Sequence, residues 1–393
     1  MTTFADLGVP AVLVAALAER GIHEPFPVQA LTVVDGIAGR DVCGKAKTGA
    51  GKTLAFGLPV LARTPRSADG HPCTMILVPT RELALQVHDV LADLAPYVDR
   101  RITAVYGGAS MEKQLAAIAS GVDVVVATPG RLIDLVDRKA ISLASLSMVV
   151  LDEADRMVDM GFLPQVEWLL RHIDAPHQTL LFSATLDGAI DHVVKTYLRD
   201  PVRHEVESAT ITVEQMAHRF LLVHEMDKVK MLCAIGRSHP RTLAFVKSKR
   251  GADRLAISLK QEGLGAAAIH GDLQQRQRER SLQDFADGKL AVLVATDVAA
   301  RGLDIDDIGV VVHYDPPTDP KDYLHRSGRT ARAGESGVVV TFVLWNEELE
   351  VRRMQKRLRL DGIPIVRMFS NDVRLNDIAA WEPDPAEAIG AAN

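Results

Sequence analysis

Three stretches of this sequence hold residue types that do chemistry only at particular spacings. The first is "AKTGAGKT", residues 46 to 53, which follows the apolar stub "DVCG" and precedes the helical "LAFGLPVL". Its form is A-x4-G-K-T, a phosphate-binding loop in which Ala46 stands where the first glycine is usual. Backbone N–H groups along Ala46, Lys47, Thr48, Gly49, Ala50 and Gly51 can wrap phosphate oxygens, and the helix that follows adds its positive end. Lys52 then reaches the β and γ phosphates, and the Thr53 hydroxyl can ligate Mg²⁺. The second stretch is "VVLDEAD", residues 149 to 155, an apolar strand that ends in adjacent carboxylates. Asp152 offers a second Mg²⁺ contact, and Glu153 is left to orient or deprotonate an attacking water. One acid at a strand end would be an ordinary helix cap; three acids beside a buried strand ask for a cation. The third stretch, "HRSGRTARAG" from 325 to 334, sets Arg326, Arg329 and Arg332 three apart with His325 alongside. Residues at that spacing share one side of a helix, so the guanidinium groups repel unless an anion or solvent faces them.

Such residues need a rigid frame, and the rest of the sequence describes one. Short β-rich apolar runs recur with helical stretches between them: "TMILVPT" (74 to 80), "VDVVVATPG" (122 to 130), "SMVVLDEAD" (147 to 155) and "TLLFSAT" (179 to 185). This is the pattern of βαβ units around a parallel sheet. It pauses over 199 to 216, a polar stretch without useful helical or strand period, and resumes with "RTLAFVKS", "GAAAIHGD", "LAVLVATD" and "IGVVVHYD" between 241 and 315. Two similar α/β domains follow, joined by a linker near 206 to 216. In open parallel sheets ligands bind at the carboxyl ends of strands, and "PTRE", "TPGR", "DEAD", "FSAT" and "ATDV" all sit where a strand should stop.

Composition narrows the function classes. At 393 residues the chain suits two or three domains, and 47% apolar with 24% charged residues is ordinary for a soluble α/β protein. Cys43, Cys73 and Cys233 are scattered without a CxxC, which suggests neither a disulfide framework nor a zinc site and fits a reducing cytoplasm. The N-terminal apolar stretch from Val9 to Ala18 lacks a basic leader and reads as a buried helix. No run approaches the roughly 18 to 20 apolar residues of a membrane span. A net charge of −6 excludes coating nucleic acid through bulk charge, so any nucleic-acid site must be local.

Taken in order, "PFPVQ" (25 to 29), "AKTGAGKT", "PTRELA" (79 to 84), "GG" (107 to 108), "TPGR" (128 to 131), "DEAD", "SAT" (183 to 185), "HGDLQQRQR" (270 to 278), "ATDVAARGLD" (295 to 304) and "HRSGRTAR" (325 to 332) resemble the DEAD-box family of ATP-dependent RNA helicases. The resemblance runs from Phe4 to about residue 345. It implies an α/β fold of two tandem RecA-like parallel-sheet domains: an adenine-recognition segment over 1–30, a first domain over 31–206, a linker over 207–216, a second domain over 217–370 and a short acidic tail over 371–393. The implied activity is RNA-stimulated ATP hydrolysis coupled to local unwinding of short duplexes, with ATP and Mg²⁺ as cofactors. A DNA-directed helicase and an ATP-gated RNA clamp that barely unwinds share this machinery. The resemblance further implies a cytoplasmic monomer, with protein partners of the kind met in RNA decay or ribosome assembly.

Residue by residue, the resemblance implies that Gln29 reads the adenine edge with Phe4 packed near it, although a plain core position suits Phe4 as well. Asp304 resembles the ribose contact, and Arg329 and Arg332 the arginines that reach the γ-phosphate, while Arg326 is left to pair within its own domain. Asp155, Ser183, Thr185 and His325 resemble residues that tie nucleotide state to domain closure. RNA-facing positions correspond to Thr80, Arg81, Gly107, Gly108, Thr128 and Arg131, with Gln275, Arg278 and Thr296 in the second domain. Hydroxyls, glycine N–H groups and arginines suit contact with phosphate and ribose rather than base edges. Two positions depart from the family: Ile22 stands where an aromatic usually stacks on adenine, and Phe26 where Thr is usual. Modest ATP affinity is expected from this. The helix predicted over "EELEVRRMQKRLRL", with Leu349, Met354 and Leu358 at helical spacing, reads as amphipathic.

Overall fold

The computed structural model describes residues 2–46, 50–186, 188–206, 216–300, 308–330 and 337–389, the side chains of Gln275 and Val298 excepted. The chain divides into two compact units, Met1–Ser208 and Ala209–Asn393. Each is built on a seven-stranded parallel sheet flanked by helices.

In the first unit the strands are β1 (Val42–Lys45), β2 (Thr74–Leu77), β3 (Ile102–Val105), β4 (Val124–Ala127), β5 (Met148–Leu151), β6 (Gln178–Ser183) and β7 (Val202–Glu205), in the order β3-β4-β2-β5-β6-β1-β7. In the second they are β8 (Ala217–Leu222), β9 (Thr242–Phe245), β10 (Ala266–Ile269), β11 (Val292–Ala295), β12 (Val310–His313), β13 (Val338–Val343) and β14 (Ile365–Arg367), in the order β10-β11-β9-β12-β13-β8-β14. Adding seven to each strand number of the first order gives the second, so the two units share one topology.

The inner strands are Val- and Leu-rich because both faces are buried, and successive residues serve opposite cores. Val124 and Val126 of β4 pack into one cluster with Ile76, Val150 and Phe182, while Val125 and Ala127 join Met75, Val149 and Leu181 on the other face. The predicted N-terminal helix forms over Ala11–Glu19 and buries Leu13, Ala16 and Leu17.

Three expectations change. The stretch 199 to 216 contains a strand after all: β7, "VRHE", pairs with β1 at the sheet edge, and its charged residues lie on a half-exposed strip too short to show a period. Residues 371–389 are a structural part of the second unit rather than a tail. Leu375 and Ile378 are fully buried in its core, Ile389 N–H donates to Ile365 C=O at 3.1 Å, and Trp381 lies against the guanidinium groups of Arg219 and Arg374. That segment covers the open edge at β14. The predicted helix forms over Glu348–Leu358 and buries Val351 and Met354, yet Leu349 points outward and is 62% exposed.

Candidate nucleotide and nucleic-acid site

Because all strands of the first sheet run the same way, every loop leaving a strand end lies along one edge. Reading across the sheet order, that edge presents Gly107–Gly108 after β3, "TPGR" after β4, "PTRE" after β2, Asp152–Glu153 after β5, "SAT" after β6 and the phosphate-binding loop after β1. The candidate phosphate chemistry occupies β5, β6 and β1; the candidate nucleic-acid contacts occupy β3, β4 and β2.

In the phosphate half, Ala46 N–H donates to Ser183 C=O at 3.0 Å, which anchors the start of the loop on β6. Lys47, Thr48 and Gly49 lie outside the described residues. Gly51 has φ of +82°, a left-handed conformation that ends the loop and starts the helix Lys52–Arg63. Lys52 and Asp152 are both buried, with Nζ 3.6 Å from Oδ1. Burial pushes the Asp152 carboxyl up to about 6; Lys52 opposes the shift and Glu153 adds to it. Thr53 follows half-buried on the first helical turn.

Glu153 is held at φ 50°, ψ 49°, a sparsely populated region for a residue with a side chain, and its N–H donates to Asp152 Oδ1 at 2.9 Å. Its carboxylate is paired with Arg156 at 2.5 Å. Arg156 escaped the sequence reading, although its i+3 spacing from Glu153 on the helix Ala154–Asp159 is visible in "DEADR". Asp155 N–H donates to Ser183 Oγ at 3.2 Å, so two of the expected coupling residues meet; Thr185 lies half-buried two residues beyond.

Gln29 is buried with both ends of its amide engaged. Oε1 accepts from Phe26 N–H and Nε2 donates to Gly51 C=O, each at 2.9 Å, so the side chain ties the segment 25 to 29 to the phosphate loop. One N–H and one lone pair of the amide remain beyond these bonds. The Phe26 ring lies over Gly51 and is more than half exposed. Phe4 requires a correction: it is 1% exposed within the cluster of Leu13, Leu17 and Val28, so it offers no face to a nucleotide and acts in packing.

In the other half, Thr80 caps the helix Arg81–Leu94, its hydroxyl accepting from Leu83 N–H at 3.3 Å. Gly108 has φ of +82°, and the Arg81 guanidinium lies so near its Cα that a Cβ there would sit 2.1 Å from Nη1. Arg131 donates to Gln114 Oε1 at 3.1 Å, and Gln114 Nε2 donates to Tyr106 C=O at 3.0 Å. Gln114, a residue the sequence did not single out, thereby couples Arg131 to the loop carrying Gly107 and Gly108. Thr128 precedes the helix Pro129–Asp137 and makes no capping bond with its side chain.

Comparison with known proteins decides what this edge belongs to. Residues 26–193 match the DEAD/DEAH box helicase family and residues 227–334 the helicase conserved C-terminal domain. Over 358 residues, the chain is 39% identical to the DEAD-box ATP-dependent RNA helicase CshA of Geobacillus kaustophilus, covering 91% of this chain and 76% of that protein. The chain belongs to the DEAD-box helicase family. CshA of Bacillus subtilis is 38% identical, covering 90% of this chain and 72% of that protein. Among solved structures, Saccharomyces cerevisiae Dbp5 bound to RNA and ADP BeF3 superimposes with a TM-score of 0.82 at 29% identity, over 96% of this chain and 98% of that one. The two RecA-like sheets expected of a DEAD-box protein are therefore both present.

In the second domain of this DEAD-box chain, Arg326 is buried, and its guanidinium grips Asp297 through Nε at 2.6 Å and Nη2 at 2.8 Å. Nη1 donates to Asp315 C=O at 2.8 Å. Arg326 thus pairs within its own domain. His325 is exposed at the end of the helix Pro320–Ser327, and Arg329 lies half-buried just beyond it. Thr296, which follows β11 directly, and Arg278, on the helix Gln275–Ala286 that follows β10, are both buried. Arg332, Asp304 and the Gln275 side chain lie outside the described residues. Among the described residues, no helix is long and apolar enough to cross a membrane, and no cluster of His, Cys, Asp and Glu could hold a metal ion on its own.

Proposed function

We propose that this chain is an RNA-stimulated ATPase that uses ATP to bind RNA and open short duplexes locally. The observation that carries the reading is the division of one sheet edge. A phosphate half built on Lys52 and Asp152 adjoins, across the neighbouring strands β5 and β2, a half built of Thr80, Arg81, Gly108 and Arg131. A nucleotide bound in one half and a sugar-phosphate backbone in the other would share the rigid strands that carry both.

Asp152 fits a divalent cation: it is a buried carboxylate whose charge a single ammonium at 3.6 Å only partly offsets. Thr53 and Asp152 would hold Mg²⁺ against the nucleotide phosphates, which supplies the charge neutralisation that phosphoryl transfer needs. Lys52 binds the β and γ phosphates, and Glu153 orients the water once the nucleotide displaces Arg156 from it. Gln29 senses the base with the part of its amide that Phe26 and Gly51 leave over. Arg329 and Arg332 supply positive charge to the γ-phosphate when ATP and RNA together draw the domains closed. The three buried thiols suit a reducing cytoplasm, and the protein is read as a monomer.

Steady-state ATP hydrolysis with single-stranded RNA, or with DNA of the same sequence, tests the proposal. RNA should stimulate strongly and DNA weakly, because the 2′-OH marks RNA. Equal stimulation would overturn the RNA assignment. Stimulated hydrolysis without displacement of a short duplex would turn the reading toward a clamp.

A further inference from the structure

Phe26 is the most exposed aromatic side chain described in the first unit, at 57%, and it stands at the edge of the phosphate half of the site. An exposed apolar residue is ordinary by itself. This one is fixed in place. Pro25 and Pro27 flank it, and its backbone is extended at φ −65° and ψ 159°. Its N–H donates to Gln29 Oε1 and its C=O accepts from Ala30 N–H, each at 2.9 Å. A ring presented from so stiff a backbone loses little further freedom when a ligand covers it.

The ring and the Gln29 amide lie side by side against Gly51. A Cβ on Gly51 would fall 2.4 Å from Phe26 Cδ2 and 2.6 Å from Gln29 Nε2, so the glycine is what lets both approach the phosphate loop. Gln29 is 2% exposed and keeps one N–H and one lone pair beyond its bonds to Phe26 and Gly51. A donor and an acceptor on one amide match the N6 and N7 edge of adenine. A planar base hydrogen-bonded there has the phenyl ring within van der Waals reach. Ile22, the other large apolar side chain between 22 and 26, is half-buried against the core of the first unit and has no π face to offer.

We infer that Phe26 is the stacking surface for the base of the bound nucleotide. The inference rests on the reading of the loop as a nucleotide site and names the side chain that sets base affinity there. A phenyl face takes one side of the base out of water and attracts it by offset stacking; it adds affinity without choosing among bases, and Gln29 makes the choice. The weak stacking expected from Ile22 is thereby made good four residues further along the chain.

Titration calorimetry of the full chain with Mg²⁺ and ADP, and separately with Mg²⁺ and inorganic tripolyphosphate, tests this on two substitutions. Phe26→Leu keeps an apolar side chain over Gly51 and removes the π face; it should weaken ADP about tenfold. Phe26→Tyr keeps the face and should bind ADP as the wild type does. Tripolyphosphate carries phosphates without a base, so it should bind the wild type and Phe26→Leu equally. A ring that merely held Gly51 and the loop in place would instead make Phe26→Leu lose tripolyphosphate as much as ADP, and that result overturns the inference. So does a Phe26→Leu protein that binds ADP like the wild type, or a Phe26→Tyr protein that does not. A wild-type protein that bound neither ADP nor tripolyphosphate would overturn the nucleotide reading itself, and this inference with it.

Discussion

Lys52 and Asp152 face each other across the end of β6, 3.6 Å apart and both buried. The distance is too long for a tight hydrogen bond and the pair is too deep for water to screen it. The site therefore stands charged and incompletely compensated, which favours a ligand bringing both phosphate for Lys52 and a cation for Asp152.

The first prediction concerns pH. The Asp152 carboxyl is pushed up to about 6 in the folded protein, against an unfolded value near 3.9. Between these values the folded state binds more protons, so this group's contribution to stability is full below about pH 4 and is lost as pH rises through 6. In the nucleotide-free protein, Asp152→Asn should remove a decline on the order of 2 kcal/mol between pH 4 and 7. Denaturant titrations of both forms across that range measure it, and parallel stability profiles would contradict it. Because Mg²⁺ needs the ionised acid, Mg²⁺-nucleotide affinity should also fall steadily below pH 6 in the wild type.

Glu153 and Arg156 give a second prediction, since each supplies the other with a buried counter-charge whose loss costs stability. Arg156→Ala should destabilise the protein by about 3 kcal/mol, read as a lower denaturation midpoint. Glu153→Gln should leave ATP affinity nearly unchanged while slowing hydrolysis by roughly two to four orders of magnitude. A Glu153→Gln protein that bound ATP poorly would point to a binding role for Glu153 instead.

The sequence displayed most of this site because its parts sit at strand ends, where apolar runs stop abruptly at polar residues. What stayed hidden has physical reasons. Arg156 and Gln114 act by pairing with other site residues, and a buried ion pair or amide bridge leaves no periodic trace. β7 and β14 are short edge strands without an all-apolar run, and the segment 371–389 packs through only two deeply buried side chains, Leu375 and Ile378, amid five acids. Phe4 was ambiguous because one isolated aromatic serves a core and a ligand equally well; its burial decides the matter. The resemblance already sets Arg326 apart from Arg329 in "HRSGRTAR", but its partner, Asp297, lies 29 residues upstream and shows only in the fold.

Gly108 carries the third prediction. Its φ of +82° disfavours any side chain, and a Cβ would collide with the Arg81 guanidinium. Gly108→Ala should shift the loop and Arg81 together, raising the RNA concentration needed for half-maximal stimulation by about tenfold while changing ATP affinity little. RNA titrations of ATP hydrolysis read this directly. An unchanged RNA requirement would remove the loop from the RNA-facing surface.

The arginines of "HRSGRTAR" separate in a final pair of substitutions. Arg326 is 4% exposed, bidentate to Asp297 and bonded to the carbonyl that follows β12, so its role is to hold the second domain's sheet edge together. Arg326→Ala leaves Asp297, about a quarter exposed, without its partner and should cost about 2 kcal/mol of stability. Under conditions where the variant remains folded, hydrolysis should fall less than stability predicts for a catalytic group. Arg332→Ala should do the reverse: the melting temperature stays close to wild type and ATP binding is largely kept, while hydrolysis drops by orders of magnitude because charge on the transferred phosphoryl group is no longer offset. Melting curves, nucleotide affinity and turnover on the two variants distinguish the roles. Should Arg332→Ala lose ATP binding as well, or keep its turnover, the guanidinium acts elsewhere and Arg329 becomes the residue to test.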